Sequence, residues 1–187
     1  MSRLGDYPIA LTRSLSDAKV WLKESGKGER RYGLLASSGA RRLRADGLGA
    51  TLHASAGDEI AQWYLNPPRD IRSSYALEVP ANEYTCQGFE LDFSCLCWGG
   101  DLTWSSDSES WVFAKLSGNQ WQRARVESAR RFLLNSYRVL FTRAREGFIL
   151  WVPLGDAADH TRLPGPLDET ALFLEKCGAV HWHSADR

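Results

Sequence analysis

Two short runs in this chain of 187 residues carry side chains suited to phosphate. The first is Thr142-Arg143-Ala144-Arg145, where an amphipathic helix gives way, through a turn at Gly147, to the apolar strand Phe148-Ile-Leu-Trp-Val152. A guanidinium is a planar fork of donors that grips phosphate oxygens in pairs, and at an element boundary it can reach outside its own domain. That is the placement of an arginine finger, which neutralises charge on a phosphoryl group in transit. The second run is Glu83-Tyr-Thr-Cys-Gln-Gly-Phe-Glu-Leu-Asp92, in which Gly88 permits a tight turn and sets Glu90 and Asp92 at the N-terminal edge of a following strand. Alone, Gln87-Gly88-Phe89-Glu90 is a weak motif; its order and distance relative to Arg143 give it weight.

Presenting Arg143 requires a helix that ends beside it. Val126, Ala129, Leu133, Tyr137 and Leu140 recur at intervals of three and four, which predicts a long helix carrying Arg143 in its last turn. Upstream, residues 8–12 read as a short buried strand. Ser14 then caps a helix with Asp17 three residues on, a packing face of Leu15, Ala18, Trp21 and Leu22, and a stop at Gly26. Residues 32–36 and 93–98 predict further strands, the latter apolar on both faces as at the centre of a sheet, and residues 75–79 another. Residues 41–56 and 63–70 read as irregular, the second because paired prolines break helix and sheet alike. Residues 99–120, rich in Gly, Ser and Trp, read as an insertion or small hairpin. A helix over 168–177, stopped by Gly178, falls in a C-terminal extension, 154–187. Strands alternating with helices make this an α/β chain with a mostly parallel sheet, one lobe over 1–187.

The 23 Lys and Arg balance 23 Asp and Glu, so no global field draws the chain to a polyanion. The charges are nonetheless segregated. Residues 123–146 hold seven arginines against Glu127 and Glu146, whereas residues 73–114 hold no Lys or Arg and seven carboxylates. Local phosphate-binding surfaces fit this pattern, and so do solvated helix faces. No apolar run approaches the roughly 20 residues of a membrane span, and residues 1–6 lack a signal peptide's apolar segment. Four cysteines in a chain of this length predict reduced thiols in the cytoplasm rather than a disulfide scaffold.

Taken in order, Tyr7–Trp21, Tyr32–Arg42, Trp63–Ser74, Cys86–Asp92, Asn135–Arg145 and Asp159–Pro164 resemble the C-terminal RecA-like lobe of the bacterial DNA/RNA helicase domain family, Schlafen group-3-like, also known as domain of unknown function 2075. The resemblance implies a superfamily 1-like motor half with a RecA-like, mostly parallel sheet flanked by helices. By position, Arg143 becomes the finger, and Gln87, Gly88 and Glu90 face the γ-phosphate and sugar of a nucleotide. Thr85, Ser37 and Ser38 fall where the nucleic-acid strand is contacted. The Thr-x-His-Lys run that often precedes Gln-Gly is missing here. The implied partners are an N-terminal RecA-like lobe carrying the phosphate loop, and DNA or RNA; ATP and Mg²⁺ are implied only together with that lobe, and no membrane is involved.

No Gly-x-x-x-x-Gly-Lys-Ser/Thr run occurs, so nothing cradles a β-phosphate, and the chain is not expected to hydrolyse ATP alone. Gly57-Asp58-Glu59 has the letters of a Mg²⁺-binding pair but no apolar strand before it. A non-catalytic binding module or a truncated gene remnant are the alternatives. Cys86, Cys95 and Cys97 lack the spacing of a zinc site and read as core thiols; His181-Trp-His183 reads as a tail. Trp21, Trp98 and Trp151 fall on core faces, and Trp104 and Trp111 are left as candidates to stack on bases.

Overall fold

The computed structural model describes residues 7–49, 51–53 and 55–186; residues 1–6, read above for a signal peptide, lie outside them. In chain order the elements are β1 (Ile9–Thr12), α1 (Leu15–Ser25), β2 (Tyr32–Ala36), α2 (Gly57–Leu65), β3 (Leu91–Cys97), β4 (Leu102–Ser105), β5 (Ser110–Ser117), β6 (Gln120–Arg123), α3 (Glu127–Phe141), β7 (Ala144–Trp151), α4 (Pro164–Lys176) and β8 (Val180–His181). Five strands form one sheet in the order β2-β3-β7-β1-β8, every pairing parallel. The chain thus has the α/β, RecA-like fold class expected of it. β4, β5 and β6 form a separate antiparallel sheet.

Alternation along the strands sorts the core into two layers. Leu11, Leu35, Leu96, Phe148 and Leu150 point to the side covered by Trp63 of α2, Tyr137 and Leu140 of α3, and Leu167, Ala171 and Leu174 of α4. Leu34, Cys95, Cys97, Ile149 and Trp151 point to the other side, where Ala18, Trp21 and Leu22 of α1 pack. Each leucine fully withdrawn from water stabilises the fold by about 2 kcal/mol. α1 begins and ends as its sequence directs: the Asp17 amide donates to Ser14 Oγ over 3.2 Å, and the Gly26 amide to the Leu22 carbonyl over 2.8 Å. Among the described residues no helix is long and apolar enough to cross a membrane.

Several elements depart from the sequence reading. No strand forms over 75–79: Ser74–Ala76 is one 3-10 turn, and Leu77 adopts φ 57°, which breaks an extended run. Trp63, read as loop, lies in α2, where burying its indole outweighs the prolines that follow; its Nε1 donates to the Val79 carbonyl at 2.8 Å. Asp58 and Glu59 occupy the exposed first turn of α2 instead of a strand end. Gly147 makes no turn, because β7 already starts at Ala144; a side chain there would put Cβ 2.5 Å from Pro8 Cγ. The supposed tail holds β8, paired to β1, and the Trp182 amide donates to the Leu11 carbonyl at 2.8 Å.

Trp104 and Trp111 have partners of their own. Trp104 stacks on Phe173 with ring centroids 3.7 Å apart, and Trp111 stacks on Trp98 at 5.7 Å. These contacts fasten the antiparallel sheet to α4 and to the end of β3, so these rings are not spare faces for bases. Trp21, Trp98 and Trp151 are buried as expected. The four cysteines are free thiols, all but Cys177 buried.

Candidate functional site

β3 and β7 are neighbours, and their N-terminal ends meet. The Leu91 amide donates to the Arg143 carbonyl over 2.8 Å, so the loop before β3 and the junction before β7 are joined by backbone. Asn82 opens that loop as an Asx turn: its Oδ1 accepts from the Tyr84 and Thr85 amides at 3.0 and 3.1 Å, and its Nδ2 donates to the Leu52 carbonyl. Gly88 then takes φ 89°, a left-handed angle that costs a side chain about 1 kcal/mol or more. Phe89 anchors the loop by stacking on Tyr64 at 4.3 Å, while the Tyr64 hydroxyl donates to the Glu90 carbonyl at 3.0 Å. Gln87, Gly88 and Glu90 are left exposed on the rim.

Arg143 stands one residue beyond the Thr142 cap of α3, rather than in the helix's last turn. Its Nε donates to the Val139 carbonyl at 3.1 Å and its Nη2 to Thr142 Oγ1 at 3.0 Å. A cation at a helix C-terminus is favoured by the dipole and by unfilled carbonyls. Nη1 has no hydrogen-bond partner among the described residues, and the side chain is half-buried. Beside it, burial pushes the Cys86 thiol up to about 11, a rise that the Arg143 guanidinium opposes. Arg145 lies 3.7 Å from Asp92 at the N-terminal ends of the interior strands β7 and β3, and Arg138 is exposed on α3 with Asn135 at 3.3 Å.

The remaining sequence candidates lie elsewhere. Ser37 and Ser38 follow β2, at the opposite end of the sheet from Arg143. Ser38 donates its amide and hydroxyl to Glu83 at 2.9 and 2.7 Å, and Ser37 its hydroxyl to Asp101 at 2.6 Å. Thr85 is buried, and its Oγ1 accepts from the Asn82 amide at 2.8 Å. The structure therefore groups Gln87, Gly88 and Glu90 with Arg143, and sets Ser37 and Ser38 apart.

Sequence reasoning missed Asp101 and Glu83, two buried carboxylates that shape the loop after β2. Asp101 accepts from Ser37 and, at 2.9 Å, from the Tyr137 hydroxyl; burial raises its pKa, against the lowering effect of both hydrogen bonds. The available signal was Gly99-Gly100-Asp101: a Cβ on Gly99 would fall 2.7 Å from Asp101 Oδ1. Also missed was an exposed aromatic pair, Tyr84 and Phe132, with centroids 6.1 Å apart. Tyr84 borders an open cleft of about 560 Å³ lined also by Ser38, Arg41, Arg44 and His53. Arg41 and Arg44 are exposed and form no ion pair among the described residues.

Around the Arg143 junction Asp92 accepts the Arg31 amide at 2.6 Å, and Glu146 pairs with Arg30 at 2.6 Å. Among the described residues no three His, Cys, Asp or Glu are grouped to hold a metal.

No curated protein and no solved structure matches the chain. The family of the Schlafen group 3, DNA/RNA helicase domain matches residues 1–154, through the loop before β3, the Arg143 junction and the whole of β7. With four-fifths of its length covered by that match, the chain belongs to the Schlafen group 3 DNA/RNA helicase domain family.

Proposed function

We propose that the chain is the second motor lobe of a superfamily 1-like helicase or nucleic-acid-dependent ATPase, completing a nucleotide site whose phosphate loop belongs to another lobe. The observation that carries this reading is the union of Gln87–Gly88–Glu90 and Arg143 at one end of the sheet through the Leu91–Arg143 backbone bond. ATP held by the first lobe supplies the γ-phosphoryl group. On this side, Arg143 swings from the Thr142 hydroxyl to the developing charge, Glu90 accepts from the sugar, and Gln87 orients the phosphate tail. The strand of DNA or RNA tracks the cleft of Arg41 and Arg44, with bases on the Tyr84–Phe132 ledge.

The test is reconstitution with a separately expressed first lobe that carries a phosphate loop. Arg143→Ala is expected to cut nucleic-acid-stimulated turnover about 10³-fold while nucleotide binding is kept, and Arg143→Lys to restore little, since a lysine lacks the bidentate fork. Unchanged turnover in the Arg143→Ala pair would remove the finger assignment.

A second reading, a non-catalytic binder of single strands, draws on the same unpaired Arg41 and Arg44 and on the local capping that already occupies Arg143. It expects strand affinity with a steep salt dependence from the chain alone, and no turnover from any pairing.

A further inference from the structure

A second cavity lies beyond the C-terminal ends of β3 and β7, far along the strands from Arg143. It encloses about 210 Å³ between the antiparallel sheet, the loop after β2 and the segment that leads into α4. Outside the carboxyl ends of parallel strands is where open α/β sheets take ligands. A mostly apolar hollow with a few converging polar groups is the usual form of a small-molecule site.

Its walls dictate what fits. Trp98 and Trp121 line it, and both indole donors are already engaged: Trp98 Nε1 with the Leu102 carbonyl at 2.6 Å and Trp121 Nε1 with the Thr161 carbonyl at 2.7 Å. The rings therefore offer only apolar surface, continued by Leu43, Val112 and Leu167. The charged lining is unequal: Arg42, Arg123 and Arg162 against Asp46 alone. Arg162 is saturated by Asp46 at 2.6 Å, Asp159 at 3.0 Å and Asp156 at 3.3 Å. Arg42 pairs with Asp159 through Nη2 and has no hydrogen-bond partner for Nη1 among the described residues, and exposed Arg123 has no side-chain partner among them. Unspent donors thus sit beside an apolar chamber walled by two indoles.

We infer that this cavity binds a small planar hydrophobic anion, an aromatic body of one or two rings with a single acidic group, whose rings lie against Trp98 and Trp121 and whose acid meets Arg42 and Arg123. Such a ligand ties together three parts of the chain that are far apart in sequence. The inference is independent of the motor reading, because no residue proposed to act at the nucleotide edge lines this cavity.

The experiment titrates the full chain with 2-naphthoate and, separately, with neutral 2-naphthol, reading calorimetric heat and tryptophan fluorescence. Saturable one-to-one uptake of naphthoate is expected, with 2-naphthol weaker by at least about tenfold, the loss of the charge-assisted contacts to Arg42 and Arg123. Arg123→Ala, an exposed site that leaves the core alone, is expected to narrow the difference between the two probes to what Arg42 contributes. Ala114→Trp, which fills the chamber, is expected to abolish both. No saturable uptake up to the solubility limit, equal affinity for both probes in the native chain, or naphthoate binding unmoved by both substitutions would each overturn the inference.

Discussion

Tyr137 of α3, six residues before Arg143, donates its hydroxyl to Asp101 over 2.9 Å in a place sealed from solvent. Asp101 also accepts the Ser37 hydroxyl, so one carboxylate fastens α3, the end of β3 and the loop after β2. Buried polar groups are costly unless every member finds a partner, and this trio is complete.

Tyr137→Phe removes one donor and leaves a buried carboxylate short of a bond. We expect a loss of about 1–3 kcal/mol in urea unfolding at neutral pH. Asp101→Ala, which strands two hydroxyls and opens a void, should cost more than Tyr137→Phe. The two substitutions should also be strongly non-additive, since the second removes a group the first has already orphaned. Simple additivity in the double variant would show that the hydroxyl and carboxylate do not act as a pair.

Asp101 also sets a pH dependence. Burial raises its folded pKa above the ordinary 3.8, so the folded chain holds this proton more tightly than the unfolded chain does. By linkage, the stabilising contribution is complete below the unfolded value and drains away as pH climbs through the raised one. Asp101→Asn lacks that titration. Stability of the native chain relative to the Asn variant should therefore fall from about pH 4 upward and level off above the raised pKa. A gap that stays flat over this range would refute the assignment.

Thiol reactivity offers a third check. Cys95 and Cys97 are buried on one side of β3, Cys86 is buried with its pKa pushed up to about 11, and Cys177 is exposed at the end of α4. Only the thiolate attacks a disulfide reagent. In the native chain, Ellman's reagent should titrate Cys177 alone within minutes, and all four thiols after denaturation. Rapid labelling of Cys86 in the folded chain would mean that the loop before β3 opens far more freely than its Asn82 turn and Phe89 anchor suggest.

Much of the sheet was readable because its strands are short apolar runs bounded by clear stops: Tyr32–Ala36 was found to the residue, and Gly26 ended α1 as expected. The errors share a cause. At 75–79 and 63–65, local propensity pointed one way and burial of Leu77 and Trp63 decided the other. Gly147 looked like a turn because no single sequence shows Pro8 lying against it. That the Gly88 loop and Arg143 each precede a strand was legible from order and spacing. Asp101 and Glu83 were not, because a carboxylate's worth is set by partners 64 and 45 residues away.

The order of strands has one more implication. β1 is flanked by β7 on one side and by β8 on the other, and β8, like α4, lies wholly outside the stretch matched by the family. Arg13 reaches across the same limit to Asp168 at 2.7 Å. Severing the polypeptide after residue 154 would strip Leu167, Ala171 and Leu174 from one hydrophobic layer and leave β1 as a naked rim, its carbonyls and amides ready to recruit a stray strand from another molecule. The frontier drawn by kinship is therefore not a seam at which this protein comes apart.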